Sequence, residues 1–163
     1  MRRNKVFMKV SGDLIEQHNV LWWIGQIAAI ENYVVICTGG GTQINEAFAE
    51  RGIKPDFGPL GRKTNTFEER QLARDVLERN QAKVQDLLME YEIHAEVIIP
   101  VVYAGSVLCH VNGDTMVETV YNGFDQIYVL TREDRAEAKR EEFEEYPKIK
   151  VVGFSAEEIR EAV

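Results

Sequence analysis

Cysteine is scarce in this chain. Cys37 and Cys109 stand far apart and alone, which excludes a disulfide framework and suits a reduced, cytoplasmic setting. Long apolar runs are missing as well: the most apolar stretch, Val20 to Ile30, is too short to span a bilayer, and no signal-peptide core follows Met1-Arg2-Arg3. There is no basic excess. Nineteen Lys and Arg face 27 Asp and Glu, a formal net charge of −8, which speaks against nucleic-acid binding but leaves room for an anionic small molecule held by local donors. The glycine fingerprints of dinucleotide and P-loop sites are absent. His18, His94 and His110 lack metal-ligand spacing, and Cys109 and His110 alternate to opposite faces of a strand-like run, so neither a metal centre nor a Cys/His nucleophile is expected.

What is present is an ordinary globular composition, 45% hydrophobic and 28% charged over 163 residues, read as one domain spanning 1–163. Strands are expected at Val6–Val10, Tyr33–Cys37, Ala95–Val102, Val107–Val111, Gln126–Leu130 and Ile149–Val152. Tyr103–Ser106 reads as a hairpin turn. Helices are expected at Val20–Glu31, after Thr42, at Thr66–Tyr91, after Asn112-Gly113-Asp114, at Arg132–Glu145 and at Ser155–Val163, the last with a Ser155/Glu158 capping box. Gly52–Asn65 reads as a long loop. Alternating strands and helices predict a three-layer α/β/α sandwich on a mainly parallel sheet. The Val20–Glu31 helix, with Trp22 and Trp23, is apolar nearly all round, which predicts burial on several sides and a homo-oligomer.

Chemistry gathers at the predicted strand ends, where such sheets bind ligands. Gly39-Gly40-Gly41 joins a strand to a helix, a junction whose free amides suit a phosphate or another anion, although a plain tight turn would also use glycine. Lys9, before Ser11-Gly12, is either a point charge for an anion or a solvated strand residue. Asp114 is either a simple helix cap or the partner that orients Lys9. Arg62 and Lys63, beside Thr64, Asn65 and Thr66, offer cationic and hydroxyl groups to an acidic substrate, or form an ordinary surface loop. Asn80 interrupts an apolar helical stripe, so its amide must bond a neighbouring loop or face a ligand. The Arg132–Glu145 segment reads as a solvated face.

In order, Lys9-Val10-Ser11-Gly12, Gly39 to Asn45, Gly61-Arg62-Lys63-Thr64, the helix bearing Asn80, Asn112-Gly113-Asp114 and Val129-Leu130-Thr131 resemble the amino acid kinase superfamily. Its members include aspartate, glutamate, uridylate and carbamate kinases. The resemblance implies a carbamate kinase-like fold and transfer of the γ-phosphoryl of ATP, accompanied by Mg²⁺, to a small acidic acceptor. Lys9 and Asp114 would be catalytic. Ser11, Gly12, Gly39, Gly40, Gly41 and Thr131 would hold phosphate, and Arg62, Thr66, Asn80 and Asn112 would bind the acceptor. No glycine-containing nucleotide loop follows Thr131, and the family's C-terminal lobe is largely missing, so the chain resembles a truncated member. The alternative is a non-catalytic relative that binds an anionic ligand or acts as an oligomeric interaction protein.

Overall fold

A computed structural model describes residues 4–30 and 33–155. Its centre is a five-stranded parallel sheet of β1 (Lys5–Val10), β2 (Tyr33–Thr38), β5 (Glu96–Ile98), β8 (Gln126–Arg132) and β9 (Ile149–Phe154), in the order β5-β2-β1-β8-β9. Strand β1 is central, with Lys9 in register with Cys37 of β2 and Val129 of β8. Its sequence, Lys5-Val6-Phe7-Met8-Lys9-Val10, is apolar at four of six positions rather than alternating, and every residue after Lys5 is buried. That pattern belongs to a strand covered on both faces.

Both coverings are present. Val6, Met8, Val10, Val34 and Ile36 pack against α1 (His18–Ala28), through Val20, Leu21 and Ile24, and α3 (Phe67–Glu90), through Val84 and Leu88. Phe7, Val35, Cys37, Ile127 and Val129 face the opposite side, against Met116 and Val117 of α4 (Gly113–Val120) and Phe143 at the end of α5 (Glu133–Glu142). The fold is therefore α/β, in the three layers expected. Helix α2 (Gly41–Glu50) lies against α3 through Ile44, Phe48, Ala73, Val76 and Leu77.

Several local expectations are corrected. The run Ala95–Val102 is not one strand: it breaks at Pro100, which cannot donate to a ladder, into β5 and β6 (Val101–Ala104), and β6 pairs antiparallel with β7 (Val107–His110). The loop Gly52–Asn65 contains a small hairpin of β3 (Asp56–Gly58) and β4 (Gly61–Lys63). Helix α1 is not buried all round, because Trp22 is 64% exposed while Trp23 packs edge-on against Tyr128 and Phe154. The helix expected from Ser155 onward lies outside the described residues, apart from Ser155 itself. Among the described residues no helix is long and apolar enough to cross a membrane.

Candidate functional site

The parallel strands deliver the ends of β1 and β2 to one edge of the sheet, and a cleft of about 330 Å³ opens there. Its floor includes Lys9, Ser11, Gly12 and the run Gly39-Gly40-Gly41, with Arg62 and Asn112 on its walls. The turn after β1 rides directly on the glycine run: a Cβ on Gly12 would lie 2.8 Å from Gln43 Oε1 and 3.1 Å from Gly40 Cα.

Helix α2 begins at Gly41, with Gly40 as its N-cap, and its first internal bond is Ile44 N–H to Gly40 O at 2.8 Å. The preceding amides, those of Gly41, Thr42 and Gln43, have no earlier turn to bond and carry the positive end of the helix dipole. Gly40 and Gly41 differ in their surroundings. A Cβ at Gly40 would meet Asn80 Nδ2 at 2.9 Å and Leu77 at 3.1 Å, whereas one at Gly41 would meet nothing within 4 Å. Gly40 is there for packing; Gly41 leaves the cleft open.

Lys9 is only 9% exposed, yet its contacts are long. Its ammonium lies 3.4 Å from Ser11 Oγ and 3.4 Å from Asp114 Oδ1. The second is an ion pair, not a hydrogen bond, since Oδ1 has no hydrogen-bond partner. The other oxygen, Oδ2, accepts from Lys139 of α5 at 2.7 Å. Burial would raise the Asp114 carboxyl, but Lys9 and Lys139 outweigh it and hold the group below its ordinary range. Asn112 caps α4, its side chain accepting from the Asp114 amide at 3.4 Å, which seats Asp114 in the first turn.

On the opposite wall Arg62 donates from Nη2 to Gly41 O at 3.1 Å and lies over the rings of Phe57 and Phe48, 4.9 and 5.5 Å from their centroids. Its Nη1 is buried without a partner, and burial lowers its pKa. His110 reaches the same wall with an unpartnered buried Nδ1. Burial, then the nearby Arg62 charge, pushes its pKa down to about 4.

The structure thus brings Lys9, Ser11, Gly12, Gly39, Gly40, Gly41, Arg62 and Asn112 to one cleft, with Asp114 just beneath. Three expected site residues stand apart from it. Thr66 uses its hydroxyl to cap α3, accepting from Glu69 N–H at 3.1 Å. Asn80 lies behind the glycines and donates to Gly39 O at 3.0 Å. Thr131, almost fully buried, sits inside the β8–β9 pairing opposite Gly153. Lys139 was not anticipated. One signal for it exists in the sequence: it falls between the buried Ala136 and Phe143, three residues after one and four before the other, on the inward stripe of α5.

No protein-family model matches the chain, and no curated protein matches it by sequence. Its fold is similar to that of smu.665 from Streptococcus mutans UA159, with a TM-score of 0.61 at 15% identity over 77% of this chain and 71% of that one. It is also similar to N-acetylglutamate synthase from Neisseria gonorrhoeae complexed with coenzyme A and N-acetyl-glutamate, with a TM-score of 0.53 at 12% identity over 82% of this chain. This chain spans 43% of the length of that synthase. At such identities the likeness shows the fold alone.

These findings overturn the resemblance to the amino acid kinases, uridylate kinase-like proteins included, and with it the expected ATP with Mg²⁺ and phosphoryl transfer. The synthase is complexed with coenzyme A and N-acetyl-glutamate, not with ATP. Locally, β8 runs straight into α5 at Glu133 and Arg132 pairs with Asp134, so the glycine-containing nucleotide loop expected of that family has no counterpart at this junction.

Proposed function

We propose that the cleft binds a small acidic molecule of the N-acyl amino acid class. The observation that carries this reading is the nearly buried Lys9 ammonium beside the open N-terminus of α2. A cation held with only long contacts, next to free amides, suits a carboxylate, and the same donors suit the oxyanion that develops on an acyl carbonyl during acyl transfer. Arg62, with a buried nitrogen lacking a partner, is available to a second polar group of the ligand. A cleft of about 330 Å³ is of a size for a small acid. The reading therefore concerns the acid. It includes a cytoplasmic setting, which suits the free thiols of Cys37 and Cys109.

Titration calorimetry with N-acetylglutamate, glutamate, inorganic phosphate and coenzyme A tests it. N-acetylglutamate should bind more tightly than glutamate, whose free ammonium would meet a cationic floor. Lys9→Met should weaken binding by about tenfold or more. Absence of heat with millimolar N-acetylglutamate, or equal affinity in Lys9→Met, would refute the proposal.

A further inference from the structure

We infer that Lys139 is a positioning residue that frees the Lys9 ammonium for the ligand by taking up the Asp114 carboxylate. The inference rests on the reading of the cleft as an acid-binding site. Lys9 and Asp114 alone would make a buried neutral pair, and the shorter their contact, the less positive charge would be left to face the cleft. That collapse has not happened. Asp114 turns Oδ2 to Lys139 at 2.7 Å, while Lys9 stays at 3.4 Å from Oδ1 and makes, among the described residues, one other polar contact, the 3.4 Å one to Ser11 Oγ. Lys9 and Asp114 share the buried floor with the half-buried Lys139 beneath them, and because Lys139 takes the nearer carboxylate oxygen, the Lys9 charge is left incompletely compensated on the cleft side.

Lys139 is itself held. Its ammonium also pairs with Glu142, one turn along α5, and Asp114 raises its pKa against the effect of burial. Glu142 does not cancel the argument, because it is the most exposed of the four groups and is screened by solvent, whereas the Lys9 and Asp114 side chains are each 11% exposed. Arg135 and Asp13 form a longer 3.9 Å pair at the cleft rim, of balanced charge. A helix whose composition reads as solvent-facing thus contributes one inward cation to the site.

The test is a charge-balance series on the intact chain, with N-acetylglutamate as the calorimetric probe. Lys139→Met should weaken binding about tenfold or more, since it leaves a neutral Lys9–Asp114 pair. Lys139→Gln, which keeps a donor but no charge, should weaken it as well, and guards against misfolding of the first variant. Lys139→Arg should retain binding. The double variant Lys139→Met/Asp114→Asn restores the single positive charge and should recover most of the lost affinity, which a merely structural role for Lys139 would not do. Wild-type affinity in Lys139→Met, or a double variant no better than the single one, overturns the inference. If the wild type itself fails to bind N-acetylglutamate, the functional reading falls, and a crystal structure of Lys139→Met still decides this one. Lys9 should close to hydrogen-bonding distance of Asp114; an unchanged 3.4 Å separation overturns it.

Discussion

His110 concentrates the site's pH dependence in one side chain. Its ring is mostly buried, its Nδ1 has no partner, and a proton there would sit beside the Arg62 guanidinium. The folded protein therefore keeps it neutral down to about pH 4, against an ordinary value of 6.5. In that window the unfolded chain binds the extra proton and the folded chain does not, so stability falls as pH drops from 6.5 towards 4. The loss is at most about 3 kcal/mol. Asp114 works in the same direction but in a lower window. Its folded value is depressed, so its stabilisation is full above the unfolded value and is lost as pH falls through the folded one, below 3.8. Urea melts at pH 6.5 and pH 4.5 separate the two, because His110→Gln should flatten the slope between these points and leave the more acidic loss in place. An unchanged slope would show that the ring is solvated. The sequence made Lys9 and Asp114 legible because each sits next to a turn signal. It could not reveal that His110 and Arg62 share a wall, because residues 48 positions apart meet only through the fold.

Elements explain why adjacent glycines have different duties. Gly40 is wedged against Asn80 and Leu77, whereas Gly41 faces open space at the start of α2. Gly40→Ala should cost about 1–3 kcal/mol in thermal or urea unfolding, the usual penalty of overpacking. Gly41→Ala should leave the melting curve nearly unchanged and weaken ligand binding by placing a methyl group in the cleft. The reverse pattern would mean that the glycine run is a structural turn and not an anion cradle. Asn80 completes the same unit, since its donor holds Gly39 O across from α3. Asn80→Ala should destabilise the chain by about 1–3 kcal/mol through a poorly satisfied buried carbonyl. This strand–glycine–helix unit was readable because it is local. Short strands were not: three residues cannot display an alternation, so the β3–β4 hairpin that carries Arg62 read as loop. Helix α5 misled for another reason. A helix rich in Glu, Lys and Arg looks solvated on every side, and only the stripe through Ala136, Lys139 and Phe143 marks its inward face.

At the scale of the whole molecule, a parallel sheet makes its two edges unequal. Strand C-terminal ends gather the cleft, while the opposite edge receives the end of α1, the start of β2, the end of α3 and the start of β5. That second edge mixes large apolar side chains with Gln85, Glu92, His94 and Glu96. Trp22, Ile30, Tyr33, Met89 and Tyr91 are all exposed, and two grooves there, one past Trp22 and Tyr91, the other past Tyr33 and Met89, share Glu92, Ile93 and His94. Large apolar side chains grouped in this way mark a contact surface more often than a solvated one. The formal charge of −8 opposes association at long range, so burial of this patch has to overcome it, and added salt should favour the assembly. We propose self-association through this edge, the direction in which the apolar α1 already pointed. Light scattering should then give twice the 18.7 kDa of the chain, and Trp22→Glu should return it to the monomer with the fold intact. Because the cleft lies at the other edge, the monomeric variant should bind N-acetylglutamate as the wild type does. A wild-type monomer at high protein concentration and moderate salt would sink the proposal, and a monomeric variant that loses its ligand would show that the two edges are not independent.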